Sequence, residues 1–424
     1  MRKLPKAPVE WTRCQVGDVV ASISSGVSVN SEDRAADQTE IGILKTSCVY
    51  TGRFRPDENK LVIDADLARV REPVRAGTII VSRMNTPELV GACGFVESAT
   101  ENRFLPDRLW QIRTHGEVDA RWLSTVIGSK KCRQLIQAMA TGTSQSMKNI
   151  SQEAFSSLPL TLPPLPEQRR IAEILRTWDE AIEKTERLIA AKEKRRDALL
   201  IDLENGRFGP AKSRARWVAV TVADIMSLAS RRVDWDERAT YRLITVKRAS
   251  GGIVFRGDKL GSEIKTKDMY EVRAGDFVIS KRQVVHGAWA MATPTHDRTH
   301  VSKEYACFEP RGGKLWMPFF GWLSRTKRLR HIALLCSYGV DIEKMVLDMD
   351  WLQESRVLIP EFVTEQKRIA EVLDCAELEI DLLRRERDTL DTQKRGLMQK
   401  LLTGEWRVAV DGPVAAPAKK RVAR

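Results

Sequence analysis

A nine-residue segment occurs twice in this chain of 424 residues, and it constrains the fold more than any other feature. EQRRIAEIL at residues 167–175 returns as EQKRIAEVL at residues 365–373, with Lys367 in place of Arg169 and Val372 in place of Ile174. From each copy, apolar residues recur at alternating steps of four and three for about five heptads. This pattern predicts two long helices, each of which lies along another helix.

The predicted helices share a seam of apolar positions at this heptad spacing. Lys192, Arg196, Arg387 and Lys394 fall on the same seam, and we expect them near its ends, where long side chains reach water. The apolar seam positions are Ile171, Leu175, Trp178, Ile182, Ile189, Leu199 and Leu203 in the first helix and Ile369, Leu373, Ala376, Ile380, Leu383, Leu390, Leu397 and Leu401 in the second.

Helix-ending signals follow each copy at the same offset. Pro166 stands at the start of the first helix, Asn205 and Gly206 mark its end, and Thr403 and Gly404 end the second helix. Each helix could pair with its twin in a homodimer, or the two helices of one chain could pair with each other. We favour the intramolecular antiparallel pair, because residues 207–364 are enough for a compact domain that returns the chain.

The regions before the two helices also repeat. Trp11 with VGDVV at 16–20 matches Trp217 with VADIM at 222–226. RAGTIIVSR, ending at Arg83, matches RAGDFVISK, ending at Lys281, and both predict a glycine turn, a short buried strand and then a serine with a cation. The chain is therefore predicted to be two tandem halves, each a domain followed by a helix.

The positive charge is concentrated in the regions outside the helices. The net charge is +13. Residues 1–160 hold 21 basic and 18 acidic side chains, and residues 211–360 hold 26 and 17, whereas residues 161–210 hold 10 of each. We expect a polyanionic partner to meet the two domains rather than the helices.

Several functional classes lack their sequence signals. No apolar run is long enough for a membrane span and no secretion signal opens the chain, so a cytoplasmic protein is predicted. The seven cysteines form no CxxC pair and are predicted to be buried thiols, without a metal site. We find no GxxxxGK[ST], GxGxxG or [DN]PP[YF] motif, and predict no catalytic residue and no cofactor. Asp57 and Glu58 in PDENK are consecutive, which favours a polar turn over a nuclease site.

Three motifs resemble the specificity subunit of type I restriction-modification systems. They are LPPLPEQRRIAEIL, GTSQSMKNIS at 142–151 and LMQKLLTGEW at 397–406, and the similar layout extends to about residue 408. The resemblance implies an α+β fold: two target recognition domains of mixed α/β type, separated by two long antiparallel coiled-coil helices, in a pseudo-two-fold tandem repeat. The expected boundaries are 1–160 and 207–360 for the recognition domains, 161–206 and 361–408 for the helices, and 409–424 for a basic flexible tail.

The same resemblance implies a function. Each recognition domain would read one half of an interrupted, bipartite sequence in double-stranded DNA, and the helices would set the unread gap. The subunit would do no chemistry itself but would dock two methyltransferase subunits, and restriction subunits through them. We expect the repeated Glu167–Gln168 and Glu365–Gln366 to offer each methyltransferase the same surface. The alternative is a stand-alone coiled-coil DNA-binding or interaction protein without a methyltransferase partner.

Candidate DNA-reading residues follow from base chemistry. Arg and Lys suit guanine, Asn and Gln suit adenine, and Ser and Thr are adaptable partners on loops held by a rigid frame. In the second copy YGVDIEKMV, at 338–346, replaces the GTSQ-type loop, and LIPEFVTEQ lacks the double proline. The candidates are Lys45, Thr46, Ser47, Arg83, Asn85, Thr86, Ser144, Gln145, Ser146, Lys148 and Asn149 in the first domain and Lys247, Arg248, Lys281, Arg282, Gln283 and His286 in the second.

Overall fold

The structure, a computed structural model, describes residues 8–98, 100–144, 147–209 and 215–409. The chain divides into two compact units. The first unit is Met1–Lys184 with Arg387–Arg424, and the second unit is Thr185–Glu386. Each unit therefore contains one α+β domain and a half of each of two long helices.

The two long helices are Leu165–Glu204 and Val363–Leu402, 40 residues each. They begin and end at the same offset in the repeat, and Gly206 and Gly404 follow their ends with φ of +63° and +71°. A positive φ at this position is the left-handed conformation that commonly terminates a helix, and glycine adopts it without steric cost.

The helices run antiparallel within each unit. In the second unit Arg196 Nη1 lies 3.1 Å from Glu377 Oε2, and Lys192 Nζ lies 2.5 Å from Glu379 Oε1. Between these two pairs the residue number decreases in the first helix and increases in the second, as antiparallel helices require. In the first unit Lys394 Nζ lies 2.7 Å from Asp179 Oδ1. Because residues 196 and 377 correspond to 394 and 179 in the repeat, the two units contain the same interhelical ion pair.

These ion pairs correct one expectation from the sequence. Lys192, Arg196 and Lys394 were expected to extend to water near the ends of the seam, but they pair with carboxylates of the facing helix and are 20–26% exposed. A half-buried cation is stabilised by a nearby carboxylate that offsets part of its desolvation. The apolar seam positions named above are all buried or half-buried.

The domain of the first unit is built from short strands and helices. Its helices are Val16–Val19, Ala120–Gly128, Lys130–Met139 and Gln152–Ser156. Its strands are Thr12–Gln15, Val20–Ser25, Gly42–Leu44, Asn59–Leu61, Ile79–Ser82, Met84–Asn85, Cys93–Phe95, Arg103–Phe104, Leu109–Thr114, Thr141–Ser144, Met147–Asn149 and Pro159–Leu162.

The domain of the second unit has a similar order of helices and strands. Its helices are Val222–Ile225, Met317–Leu323, Lys327–Leu335 and Met349–Glu354. Its strands are Trp217–Thr221, Met226–Leu228, Thr240–Val246, Ile253–Leu260, Met269–Val272, Phe277–Ser280, Trp289–Met291, Thr299–Ser302, Tyr305–Pro310, Ser337–Tyr338, Val346–Leu347 and Arg356–Pro360.

Both domains contain the same antiparallel four-stranded sheet. The strand after the RAG turn, Ile79–Ser82 or Phe277–Ser280, is an inner strand of this sheet and is buried along its whole length. Such complete burial explains why the sequence is a continuous apolar run rather than an alternating one. Gly77 and Gly275 make the turn before it with φ of +74° and +91°. Arg83 and Lys281 directly follow these two strands and are therefore attached to a rigid frame.

Each unit has its own hydrophobic core, which includes parts of the long helices. In the first unit Ile171 and Leu175 pack with Leu401 in a cluster that contains Trp110 and Trp122. In the second unit Leu203, Ile369 and Leu373 pack with Phe277, Trp289 and Phe319. The domain and its helix segments are therefore one folded body within each unit.

Two of the seven cysteines are less buried than the sequence predicted. All seven are free thiols, as the sequence suggested, and Cys48, Cys93, Cys132, Cys307 and Cys336 are buried. Cys375 is exposed and Cys14 is half-buried. Cys375 lies between the seam positions Leu373 and Ala376 of the second long helix, on its solvent side. None of the described helices is both long enough and apolar enough to cross a membrane.

Candidate nucleic-acid interface

Three segments that are far apart in the first domain meet at one surface, which we call the first cluster. The strand Met84–Asn85 pairs with Met147–Asn149, which itself forms a hairpin with Thr141–Ser144. The Cα partner of Asn85 is Lys148. The 3-10 helix Thr46–Val49 reaches the same surface, because Tyr50, which follows it, hydrogen bonds to Asn85. The candidate groups around residues 45, 85 and 148 are thus brought together.

Asn85 connects these segments from below the surface. It is buried, and its Nδ2 donates to Tyr50 Oη at 2.9 Å and to Ser82 Oγ at 3.1 Å. Its Oδ1 accepts from the backbone N–H of Thr86 at 2.9 Å. Since both ends of the amide are used inside the domain, Asn85 positions its neighbours and does not present an edge that could read adenine. Tyr50 is the exposed member of the pair.

Other members of the first cluster are also held by internal hydrogen bonds. Arg83 Nε donates to the carbonyl of Asp107 at 2.7 Å, and Lys148 Nζ donates to the carbonyl of Gly142 at 2.9 Å. Ser47 Oγ donates to Glu58 Oε2 at 2.7 Å. Lys45 is the N-cap residue of the 3-10 helix. Gln145, Ser146 and the side chain of Ser144 lie outside the described residues.

The amide oxygen of Asn149 differs from that of Asn85. Its Oδ1 is buried and has no hydrogen-bond partner among the residues that the structure describes. Buried polar atoms are normally satisfied, so this oxygen is an exception among the described residues. Asn149 is adjacent to Ile150, whose backbone N–H donates to the carbonyl of Arg83, so the hairpin is fixed beside that arginine.

The second domain brings its candidates together around one arginine, and we call this group the second cluster. Arg248 Nε donates to Gln283 Oε1 at 2.7 Å. Arg248 Nη2 donates to Glu343 Oε2 at 2.6 Å, with Nη1 3.4 Å from Oε1. His286 Nε2 lies 3.2 Å from Glu343 Oε1. Glu343 belongs to the 3-10 helix Ile342–Lys344, inside the hairpin formed by Ser337–Tyr338 and Val346–Leu347.

The turn that carries Arg248 is held in an uncommon conformation. Ala249 and Ser250 have φ of +53° and +55°, a region that non-glycine residues occupy at a steric cost. Their backbone N–H groups donate to the carbonyls of His286 at 2.7 Å and Gly287 at 2.9 Å. The turn is thus attached to the loop after Phe277–Ser280, and the position of Arg248 is determined by tertiary contacts rather than by local preference.

The remaining candidates of the second domain lie around this group. Arg282 Nε donates to Glu304 Oε2 at 2.6 Å. Lys281 is half-buried, and its backbone bonds to Glu304 and Leu347 attach the hairpin to the end of the buried strand. Lys247 is exposed next to Arg248. In this cluster arginines pair with carboxylates, whereas the described contacts of Arg83 and Lys148 in the first cluster are to backbone carbonyls.

The repeated Gln of the two EQ motifs has an internal role. Gln168 and Gln366 are both buried. Gln168 accepts from the N–H of Asp119 and donates to the carbonyl of Pro163. Gln366 accepts from the N–H of Trp316 and donates to the carbonyls of Lys314 and Pro360. Each glutamine therefore attaches the start of its long helix to the preceding domain by hydrogen bonds.

The glutamates of the two EQ motifs have different environments. Glu167 is buried, and it accepts from Trp11 Nε1 at 2.9 Å and from Arg407 Nε at 2.7 Å. Glu365 is half-buried and pairs with the exposed Arg368. The expectation of a docking surface on the motif itself needs correction, because the side chains of Glu167, Gln168 and Gln366 face their own unit. Glu365 and exposed neighbours such as Arg169 and Arg170 remain accessible to a partner.

Sequence reasoning missed several functional candidates that the structure brings to these clusters. Tyr50, Glu343 and Glu304 were not selected, because the search was restricted to residue types that read base edges. A signal was present for Glu343, which lies in the DIEKMV segment where the second copy departs from the GTSQ-type loop. Within the described part of the chain, no group of three or more His, Cys, Asp or Glu side chains could hold a metal ion.

The fold and the two clusters define a class of tandem-repeat α+β protein in which each unit carries one loop cluster and a half of each long helix. The family model described as the type I restriction modification DNA specificity domain matches residues 8–193. Residues 8–193, less than half of the chain, are therefore similar to the DNA specificity domain of type I restriction-modification systems.

One curated relative is similar to part of the chain. Over 168 residues the chain is 29% identical to the specificity subunit of the type I restriction enzyme EcoEI of Escherichia coli. The match covers 39% of this chain and 28% of that protein, so it spans less than a third of the curated relative.

Two solved structures share the fold over nearly the whole chain. The S subunit of a type I restriction-modification system from M. genitalium is 16% identical, with a TM-score of 0.57, and the match covers 92% of this chain and 96% of that one. A chain from a study of complex assembly and conformational transition of the type I R-M system is 17% identical, with a TM-score of 0.56 and coverage of 95% and 100%. At these identities the likeness concerns the fold, and it confirms the α+β tandem architecture expected from the sequence.

Proposed function

We propose that this chain is the DNA sequence-specificity subunit of a type I restriction-modification complex. The recognition domains, expected at residues 1–160 and 207–360, each read one half of a bipartite, interrupted target in double-stranded DNA. The observation that carries the proposal is the recurrence of a loop cluster at the same place in both domains. In each, the end of the buried strand after the RAG turn meets a hairpin 60 or so residues further along the chain.

The chemistry of the clusters fits duplex DNA. Arginine and lysine side chains at loop tips suit phosphate contacts and the acceptor edge of guanine, and hydroxyl and amide groups suit mixed contacts. The domains also carry most of the positive charge of the chain, +3 and +9 of the total of +13. The near-neutral helices are suited to protein partners instead.

We further propose that the long helices set the unread gap and that two methyltransferase subunits dock beside them, with restriction subunits joining through the methyltransferases. The chain itself performs no catalysis in this proposal. A helix of 40 residues is about 60 Å long at 1.5 Å per residue, the length of about 18 base pairs at 3.4 Å. Support for equivalent docking sites comes from the repeat, since the interhelical ion pair at Asp179 and Lys394 recurs at Glu377 and Arg196.

The test is reconstitution with the native partner. The full chain is expected to bind duplex DNA weakly and with a steep salt dependence by itself, because phosphate contacts dominate non-specific affinity. Purified from its host, it is expected to bring a methyltransferase subunit with it, and the complex should methylate one bipartite sequence. Methylation or cleavage by the purified chain alone, with added cofactor and metal, would contradict the non-catalytic role.

A further inference from the structure

The second cluster contains a carboxylate of the chain itself. It occupies the position beside an arginine where an anionic group of bound DNA would lie. Glu343 engages Arg248 through both oxygens, at 2.6 Å and 3.4 Å, and one of those oxygens also lies 3.2 Å from His286. Both partners of the ion pair are about half exposed, at 51% for Arg248 and 52% for Glu343. The guanidinium therefore lies at the surface, with its charge already compensated by the chain itself.

The donors of Arg248 are largely consumed in this arrangement. A guanidinium has five N–H donors in a fixed planar fork. Nε donates to Gln283, and the paired Nη1 and Nη2 face the carboxylate of Glu343. The N–H groups that remain diverge from one another, so they cannot form the parallel pair that a phosphate or a guanine edge accepts. Bidentate recognition of DNA through the end-on fork of Arg248, formed by Nη1 and Nη2, requires Glu343 to leave.

Electrostatics favours that exchange over simultaneous binding. The hydrogen bond from Arg248 lowers the pKa of Glu343, so the carboxylate is ionised and would repel a phosphate placed against the same guanidinium. An exposed ion pair of this kind contributes little net free energy, so a matching contact from the DNA can replace it. The backbone of the Arg248 turn is fixed by the loop at His286 and Gly287, and only the exposed side chain of Glu343 has to move.

Resting on the proposed function, we infer that Glu343 is an internal stand-in for an acceptor edge of the second half-site and that it restrains Arg248 until this half-site is engaged. Sequences that offer Arg248 a matching contact displace Glu343, and other sequences do not compensate for its loss. Glu343 thereby lowers the affinity of the second domain for non-specific DNA. It also increases the difference in affinity between matching and other sequences. Arg282 and Glu304 repeat the arrangement at the neighbouring loop position.

The experiment compares the full-length wild type with E343Q on a short random-sequence duplex across a salt series. Glutamine preserves the shape and removes the charge. We expect E343Q to bind about two- to fivefold more tightly, with the slope of log K against log salt steeper by about 0.9, as for one additional phosphate contact. In the double variant R248Q/E343Q the additional affinity and the steeper slope should both disappear.

A matched control separates this effect from net charge. E361Q removes one negative charge from another exposed ion pair of the second unit, with Arg216, and should leave affinity unchanged. Weaker binding by E343Q would show that Glu343 orients Arg248 for DNA rather than restraining it, and an equal gain in E361Q would show a general charge effect; either result overturns the inference alone. Failure of the wild type to bind duplex DNA at low salt would overturn the proposed function as well.

Discussion

At the scale of single residues, the repeat supplies pairs of positions whose roles can be compared inside one chain. Glu167 and Glu365 occupy the same place in the two EQ motifs, yet Glu167 is 2% exposed and joins Trp11 to Arg407, whereas Glu365 faces solvent with Arg368. The hydrogen bonds to Glu167 raise the pKa of Arg407. The first unit thus depends on a buried carboxylate that joins its two chain segments.

We therefore expect unequal effects from E167Q and E365Q. In E167Q the new amide places N–H donors against the donors of Trp11 or Arg407, so a buried group is left unpaired and the first unit should lose about 1–3 kcal/mol of free energy of unfolding. E365Q should change the second unit by no more than about 0.5 kcal/mol. Hydrogen exchange with mass spectrometry on the full chain reports both units separately. Equal losses in the two variants would contradict the role assigned to Glu167.

The residue contacts were the part that sequence could not predict. Base chemistry and the strand pattern indicated Arg248, Gln283 and His286 as candidates, and the structure brings these three together. Arg248 contacts Gln283 and Glu343, which are 35 and 95 residues away in the sequence, and no local pattern encodes such contacts. Asn85 shows the converse: its residue type suited adenine, but burial uses its amide for internal hydrogen bonds.

At the scale of elements, the long helices were the most predictable part of the chain. Heptad spacing and glycine stops indicated helices over 161–206 and 361–408, and the observed helices are Leu165–Glu204 and Val363–Leu402. Sustained periodicity and end signals are local, so sequence carries them directly. The ion pairs of Lys192, Arg196 and Lys394 were not predicted, because a heptad pattern identifies the seam without identifying the residues that face each other across it.

The helices also allow a test of the proposed gap. Within the second unit Arg384 of the second helix contacts Glu193 of the first, and insertion points after Ile189 and after Arg387 are a few residues from these two positions in the sequence. One heptad inserted at each place preserves the seam and lengthens both helices by about 10 Å, or about three base pairs. We expect the double insertion to keep both half-site sequences and widen the unread gap by that amount.

Single insertions are the control for this prediction. A heptad in one helix alone leaves a segment without a facing partner, so the single-insertion variants should be inactive or largely unfolded. Mapping of methylated sites and circular dichroism distinguish these outcomes. A fully active double variant with an unchanged gap would mean that the helices do not determine the spacing.

At the scale of the whole molecule, the proposed function requires one chain to address an asymmetric target, and the tandem repeat provides two domains for this role. The two domains share sheet topology and the RAG turn, but their clusters differ: contacts to backbone carbonyls hold Arg83 and Lys148 in the first, whereas carboxylates pair with Arg248 and Arg282 in the second. The shared frame was visible in sequence as two matching motifs. The chemical difference between the clusters was not, because it arises from loops without sequence similarity.

The most direct test of the central claim, that each domain reads its own half-site, is methylation-site mapping after exchange of one domain. Residues 11–160 are replaced by the corresponding region of a relative that recognises another sequence, and the complex is assembled with the native methyltransferase. The account predicts that one half of the methylated sequence changes, while the other half and the gap between them stay the same. A change in both halves, or in neither, would contradict it.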